Sequence, residues 1–177
     1  MRIGDEAYYF LRMYSIDLDT AKQAIKVLRR YKRSDVRYAL LRDLTVAYVR
    51  PFSTNRGRQH GTHVLSVKRH VPKEMKALHL ELVRVRMQQF AHTDLSYYNP
   101  IVFSLRGDSG HAIIFKGFDY EALLHKLDQI EELIRSVESS VNAAIADYES
   151  KSSVLSEAIP AGPEVRKFLE NLAEKSE

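Results

Sequence analysis

The chain contains no cysteine at all, which removes disulfide frameworks and thiolate metal sites and fits a reducing compartment. It also has no apolar run near the ~20 residues needed to cross a bilayer. Its opening, MRIGDEAYYFLRMYS, places charges where a secretory leader would be apolar. These features set the expectation of a cytoplasmic protein with no membrane partner. A glycine-rich phosphate loop, G-x-S-x-G and H-E-x-x-H are all missing, so the common signatures of nucleotide, acyl-transfer and zinc-hydrolase sites do not apply. His60-x-x-His63 has metal-ligand spacing, but no neighbouring carboxylate or cysteine completes a site. Neither a metal nor a cofactor is expected. No internal repeat is present.

What the 177 residues do contain is 45% apolar side chains, enough for the core of one domain. The expected organisation is a helical domain over 1–150 and a polar tail over 151–177, with a short helix after Pro163. Net charge is only +4, yet it is unevenly spread. Residues 1–73 hold sixteen Lys/Arg against six Asp/Glu, whereas 118–150 hold two against eight. Such asymmetry either marks an anionic partner or lets the two regions neutralise each other.

Helical periodicity dominates. GDEAYYFLRMYS reads as a short first helix. DLDTAKQAIKVLRRYK reads as a second, with Ala21, Ala24, Ile25 and Leu28 on one face. SDVRYALLRDLTVAYVR follows, capped by Ser34 or Asp35 and stopped before Pro51. Residues 51–72 form a long connection with little periodicity, and THVLSVKRHV within it has a weak strand signal. Then comes the helix PKEMKALHLELVRVRMQQFAH. IVFSLRGDSGHAIIFKG reads as a β-hairpin around Gly-Asp-Ser-Gly. From 119 to 149, the residues Tyr120, Leu123, Leu127, Ile130, Ile134, Val137, Val141, Ala144 and Tyr148 recur at steps of three and four. That seam predicts one helix of ~45 Å lying along a bundle or a partner. The predicted fold class is mainly α: a helical bundle with a long C-terminal helix and one β-hairpin.

The helix ending in VRMQQFAHTD, residues 85–94, is the most informative. At 100° per residue from Leu82, its apolar positions cover a wide arc. Arg86 falls among them at about 40°, with His79 near 60°. A guanidinium cannot shed its proton, so an arginine on an apolar face needs a carboxylate, a phosphate or a route to water for its head. His92 lies about 120° from Arg86 on an ideal helix. The two meet only if the helix loosens near Ala91 or two copies of it come together. Read alone, His92 is well placed to interact with the terminal carbonyls.

VRMQQFAHTD resembles the Arg-x(4–6)-His motif of the HEPN superfamily, through Arg86, Ala91, His92 and Asp94. AYVRPFSTNRG, residues 47–57, resembles a segment that accompanies this motif in small bacterial helical proteins. The similarity spans roughly residues 20–150, mostly as helix order. It implies a helical homodimer that acts on RNA, with Arg and His of two subunits lining one cleft and cutting without metal. Under that implication His92 is the general acid or base and Arg86 holds the phosphate, with His79 and Asp94 in support. Met87 departs from the pattern, which commonly has asparagine after the arginine.

Between Leu44 and Lys73 there are six basic residues and no acidic one. Arg50, Arg56, Arg58, Lys68 and Arg69, with Tyr48 and Phe52, have the makings of a single-strand binding segment. Equally, Arg50 and Arg56 could pin the loop to the bundle. The leading expectation is RNA binding or metal-independent RNA cleavage. Its rival is a non-enzymatic interaction module that forms a homodimer or pairs another protein along its acidic helix.

Overall fold

A computed structural model describes residues 3–57, 61–91, 98–104, 111–115 and 119–151, with single positions at 162, 163 and 167. The chain falls into two compact units, Met1–Ile145 and Ala146–Glu177. The first is mainly α-helical. Its elements are α1 (Ile3–Leu28), α2 (Ser34–Val49), β1 (Asn55–Arg56), β2 (Thr62–His63), α3 (Val67–His70), α4 (Lys76–Val85), β3 (Ile101–Ser104), β4 (His111–Ile114), α5 (Tyr120–Leu124) and α6 (Leu127–Lys151). A 3₁₀ turn, Arg50–Phe52, follows α2, and another, Lys73–Met75, leads into α4. The boundary between the units falls inside α6. In the second unit, the end of that helix is described, with Ser150 Oγ donating to the Asp147 carbonyl at 2.8 Å.

The two expected N-terminal helices are one. No proline or glycine interrupts 5–28, and Thr20 Oγ1 bonds back to the Ile16 carbonyl at 2.9 Å within the helix. Asp17, where the second helix was expected to begin, therefore lies inside α1. The expected caps of α2 are also displaced. Arg33 occupies the N-cap position without a side-chain cap bond, and Asp35 instead pairs with Arg33 at 2.6 Å. The pro-helical run ends as anticipated. α2 gives way at Arg50 to the 3₁₀ turn that accommodates Pro51.

The predicted continuous helix over 119–149 is two. Asp119 caps α5 by accepting from the Ala122 amide at 3.2 Å. At His125 and Lys126 the helix is interrupted by a turn, where the Lys126 amide bonds the Leu123 carbonyl at 3.0 Å. The Lys126 ammonium meanwhile reaches both carboxylate oxygens of Glu81 on α4 at 2.8 Å. The seam survives beyond the turn. Ile130, Ile134, Val137 and Val141 are buried as predicted, and Leu133 and Ile145 join them. At about 1.5 Å per residue, α6 is on the order of 37 Å long, shorter than the ~45 Å expected of an unbroken helix.

The core of the first unit runs along α1 as Tyr14, Leu18, Ala21, Ile25 and Leu28, spaced three and four apart. It continues through Leu41, Leu44 and Tyr48 of α2 and through Leu82 of α4. α4 does not have the wide buried face its composition suggested. His79, Leu82 and Val85 are buried, but Leu80 and Met87 are 62% and 44% exposed. The helix presents one stripe to the core rather than sitting at the centre of the bundle.

The expected hairpin is present, with Ile101 opposite Ile114 and Ser104 opposite His111. A second antiparallel pair, β1 with β2, lies in the long connection; β2, Thr62–His63, falls at the start of the THVLSVKRHV run with its weak strand signal, whereas β1 had none. Two-residue strands are too short for alternation to reveal.

Candidate nucleic-acid interface

From Arg86 to Ala91 the chain leaves the α-helix for a π-helical turn. Single π turns inside α-helices are uncommon and recur at functional sites. This one spans Arg86 and Ala91, two of the motif residues. Phe90 anchors the turn, meeting Tyr38 of α2 edge-on at 6.0 Å, and Tyr38 in turn meets Tyr120 of α5 at 5.8 Å. His92 and Asp94 lie outside the described residues.

Arg86 is half-buried. Among the described residues it forms no ion pair, and its Nη1 donates to the Met87 sulfur at 3.1 Å. A thioether is a weak acceptor for a guanidinium. Met87 thus lies against the arginine itself. On the same turn the buried Gln89 Nε2 has no hydrogen-bond partner among the described residues. A buried amide donor left unmet costs about 1–3 kcal/mol. Two donors short of a good acceptor therefore stand three residues apart. Sequence reasoning missed Gln89, because glutamine near a helix end ordinarily reaches water.

His79 does not support Arg86. It is buried, its Nδ1 shares a hydrogen bond with the Tyr48 hydroxyl at 2.9 Å, and Phe52 packs edge-on against its ring at 4.5 Å. Burial pushes the imidazole below its ordinary value and the tyrosine above its own. Tyr48 is fully buried, so it offers no surface for stacking a base.

The basic segment splits into different roles. Arg50 Nη1 binds the Asp17 carboxylate at 2.6 Å, which pins the connection to α1. Asn55 holds the same turn from the other side, its Nδ2 donating to the Arg50 and Ser53 carbonyls at 3.2 and 2.7 Å. His63 stacks on Phe10 at 4.0 Å and bonds Glu6 at 3.2 Å. Arg56, Lys68 and Arg69 are exposed and form no ion pair among the described residues, while Arg58 lies outside them. Beside the pinned turn, a cleft of about 390 Å³ is lined by Met13, Tyr14, Ile16, Asp17, Arg50 and Arg56, among others. Asp17 sits above the ordinary carboxylate range despite its arginine, because burial outweighs the pairing. A group perturbed by burial in a cleft is a feature of functional sites. Arg50 and Arg56 are thus brought to one cleft.

The opposed charges of the N-terminal and C-terminal regions partly cancel. Lys22 pairs with Glu138 at 2.6 Å, and Arg29 with Asp128 and Glu131 at 2.6 Å each. Much of the acidic face of α6 is spent on α1 rather than left for a partner. No helix among the described residues is long and apolar enough to cross a membrane, and no cluster of metal-ligating side chains occurs among them.

Comparison with protein-family models, curated proteins and solved structures gives no match. The chain's own residues carry the functional argument.

Proposed function

We propose that this is a HEPN-like helical protein that binds RNA and cleaves it without a metal, as a homodimer. The observation that carries the reading is the π turn at Arg86–Ala91. There a half-buried guanidinium has only a thioether to bond, and a buried amide nitrogen has nothing, among the described residues. A phosphodiester supplies the oxygen acceptors that both lack, and a guanidinium matches a phosphate in a two-pronged geometry. His92, six residues on, titrates near neutrality in its unperturbed form and suits proton transfer. In this mechanism His92 takes the proton of a ribose 2′-hydroxyl. The 2′-oxygen attacks the adjacent phosphorus to form a 2′,3′-cyclic phosphate, and the bond to the 5′-oxygen breaks as that oxygen takes a proton from water and leaves as a hydroxyl. Arg86 offsets the charge that builds on the phosphoryl oxygens. Arg56, Lys68 and Arg69, with Arg50 at the cleft edge, guide the strand by its backbone.

The test incubates mixed RNA with wild type, Arg86→Ala and His92→Ala in the presence of chelator. The expected result is cleavage by wild type alone, with Arg86→Ala also binding RNA at least roughly tenfold more weakly. Equal cleavage by all three assigns the activity elsewhere and overturns the reading.

The rival reading is a non-enzymatic interaction module, and one observation favours it: the β3–β4 hairpin exposes apolar side chains on both faces. Salt-dependent RNA binding by wild type without cleavage would select a binding module over a nuclease.

A further inference from the structure

A pinning ion pair needs only its two heads, yet the Asp17–Arg50 pair sits in a cleft with further unused groups. Met13, Ile16 and Asp17 stand three and four residues apart on α1, so they share one face of that helix. The turn after α2 brings Arg50 to this face, and β1 brings Arg56. The cleft that these five residues help to line, about 390 Å³, has the size of a small-ligand pocket. Its apolar wall includes Met13 and Ile16, 46% and 66% exposed. Arg50 spends one N–H on Asp17 Oδ1, and its side chain stays 56% exposed; a guanidinium has five such donors. Asp17 Oδ2 accepts no hydrogen bond among the described residues. Burial of this carboxylate outweighs the help of its arginine, so a further N–H donor is favourable there.

We infer that this cleft takes one unstacked guanine of an RNA strand, its base edge read by the Arg50–Asp17 pair. The inference rests on the RNA-binding reading above for its substrate and is independent of cleavage. Along the pair the groups run donor, acceptor, acceptor: a guanidinium N–H, then the two carboxylate oxygens. The Watson–Crick edge of guanine runs acceptor, donor, donor, as O6, N1–H and N2–H. Uracil, cytosine and adenine match two of these positions at most, so guanine alone matches all three. RNA sequence is ordinarily read in this way, on the edges of unstacked, single-stranded bases. Met13 and Ile16 supply contact for the face of the base, and a thioether is favourable against an aromatic ring. Arg56, an exposed cation at the cleft, meets the phosphate of the same nucleotide.

The experiment is fluorescence anisotropy of the full chain with labelled oligouridines of 2′-O-methyl RNA, which lack the free hydroxyl that cleavage needs. Each strand carries one central guanosine, inosine or adenosine. The guanosine strand is expected to bind roughly tenfold more tightly than the adenosine strand. Inosine, which lacks only the N2 amine of guanosine, is expected to fall between them. Asp17→Asn is expected to bring the guanosine-to-adenosine ratio close to one. Arg56→Ala is expected to weaken all three strands alike, because a phosphate contact carries no sequence information. Equal wild-type affinity for the guanosine and adenosine strands overturns the inference and leaves the RNA-binding reading standing. A guanine preference that survives in Asp17→Asn overturns it too. Should Asp17→Asn misfold by circular dichroism, the inosine strand decides: affinity equal to that of the guanosine strand is equally fatal, since the carboxylate then reads no N2 amine. A wild type that binds none of the strands removes both readings.

Discussion

Tyr48 and His79 form the most constrained polar contact in the core. Removing the hydroxyl in Tyr48→Phe leaves a buried ring nitrogen unmet, so the expected loss is about 1–3 kcal/mol in urea unfolding. His70 is similarly held, its Nδ1 bonded to Ser140 Oγ at 2.9 Å. Burial lowers the titration of both histidines. Their neutral forms are favoured in the fold, while the unfolded chain takes up protons below about pH 6.5. Stability is therefore fully present above that value and is lost as pH falls toward the folded values; melting temperatures across this range check it. Asp17 has the opposite sense. Its folded carboxyl titrates high, so its contribution is present below the unfolded value near 3.9 and lost as pH rises through the folded one. Asp17→Asn is accordingly expected to be no less stable than wild type at pH 7, measured by chemical denaturation. The oddity of Arg86 was legible in the sequence, because a permanent cation on an apolar arc is anomalous wherever it occurs. The partner of His79 was not, because Tyr48 lies on another helix and no local pattern connects the two.

Helix identity was largely legible from periodicity, and helix boundaries were not. The α1 seam shows plainly, yet Asp17 reads as the start of a second helix only until Arg50 is seen to claim the aspartate. The break before α6 is equally remote in origin, since the side chain of Lys126 answers to Glu81 on α4. Packing rather than surface charge should dominate the energetics of α6. Ile134→Ala is expected to cost about 2–5 kcal/mol through transfer and cavity terms. Arg29→Ala, at a largely exposed cluster on the same helix pair, is expected to cost under about 1 kcal/mol. Equilibrium unfolding of the two variants side by side decides the order.

For the molecule as a whole, the charge asymmetry visible in the sequence resolves into two parts. Lys22 of α1 and Arg29 just beyond it are matched by α6, while Arg56, Lys68 and Arg69 remain exposed at the connection. RNA affinity should therefore fall with added salt, and replacing Lys68 and Arg69 with alanine should flatten that dependence. Filter binding at several ionic strengths measures the slope. The hairpin was legible as two strands, but its two-sided exposure was not, because alternation cannot reveal what is missing from either side. The widened turn at Arg86–Ala91 was invisible in composition and matters most for chain register. Deleting a single residue there, such as Gln88, would let the ordinary ladder close. Phe90 would then keep nearly its phase against Tyr38, because a π turn takes up one extra residue, and the side chains inside the turn would be re-aimed instead. Such a shortened chain should keep its helices, by circular dichroism, and move the Arg86 head relative to the Gln89 amide.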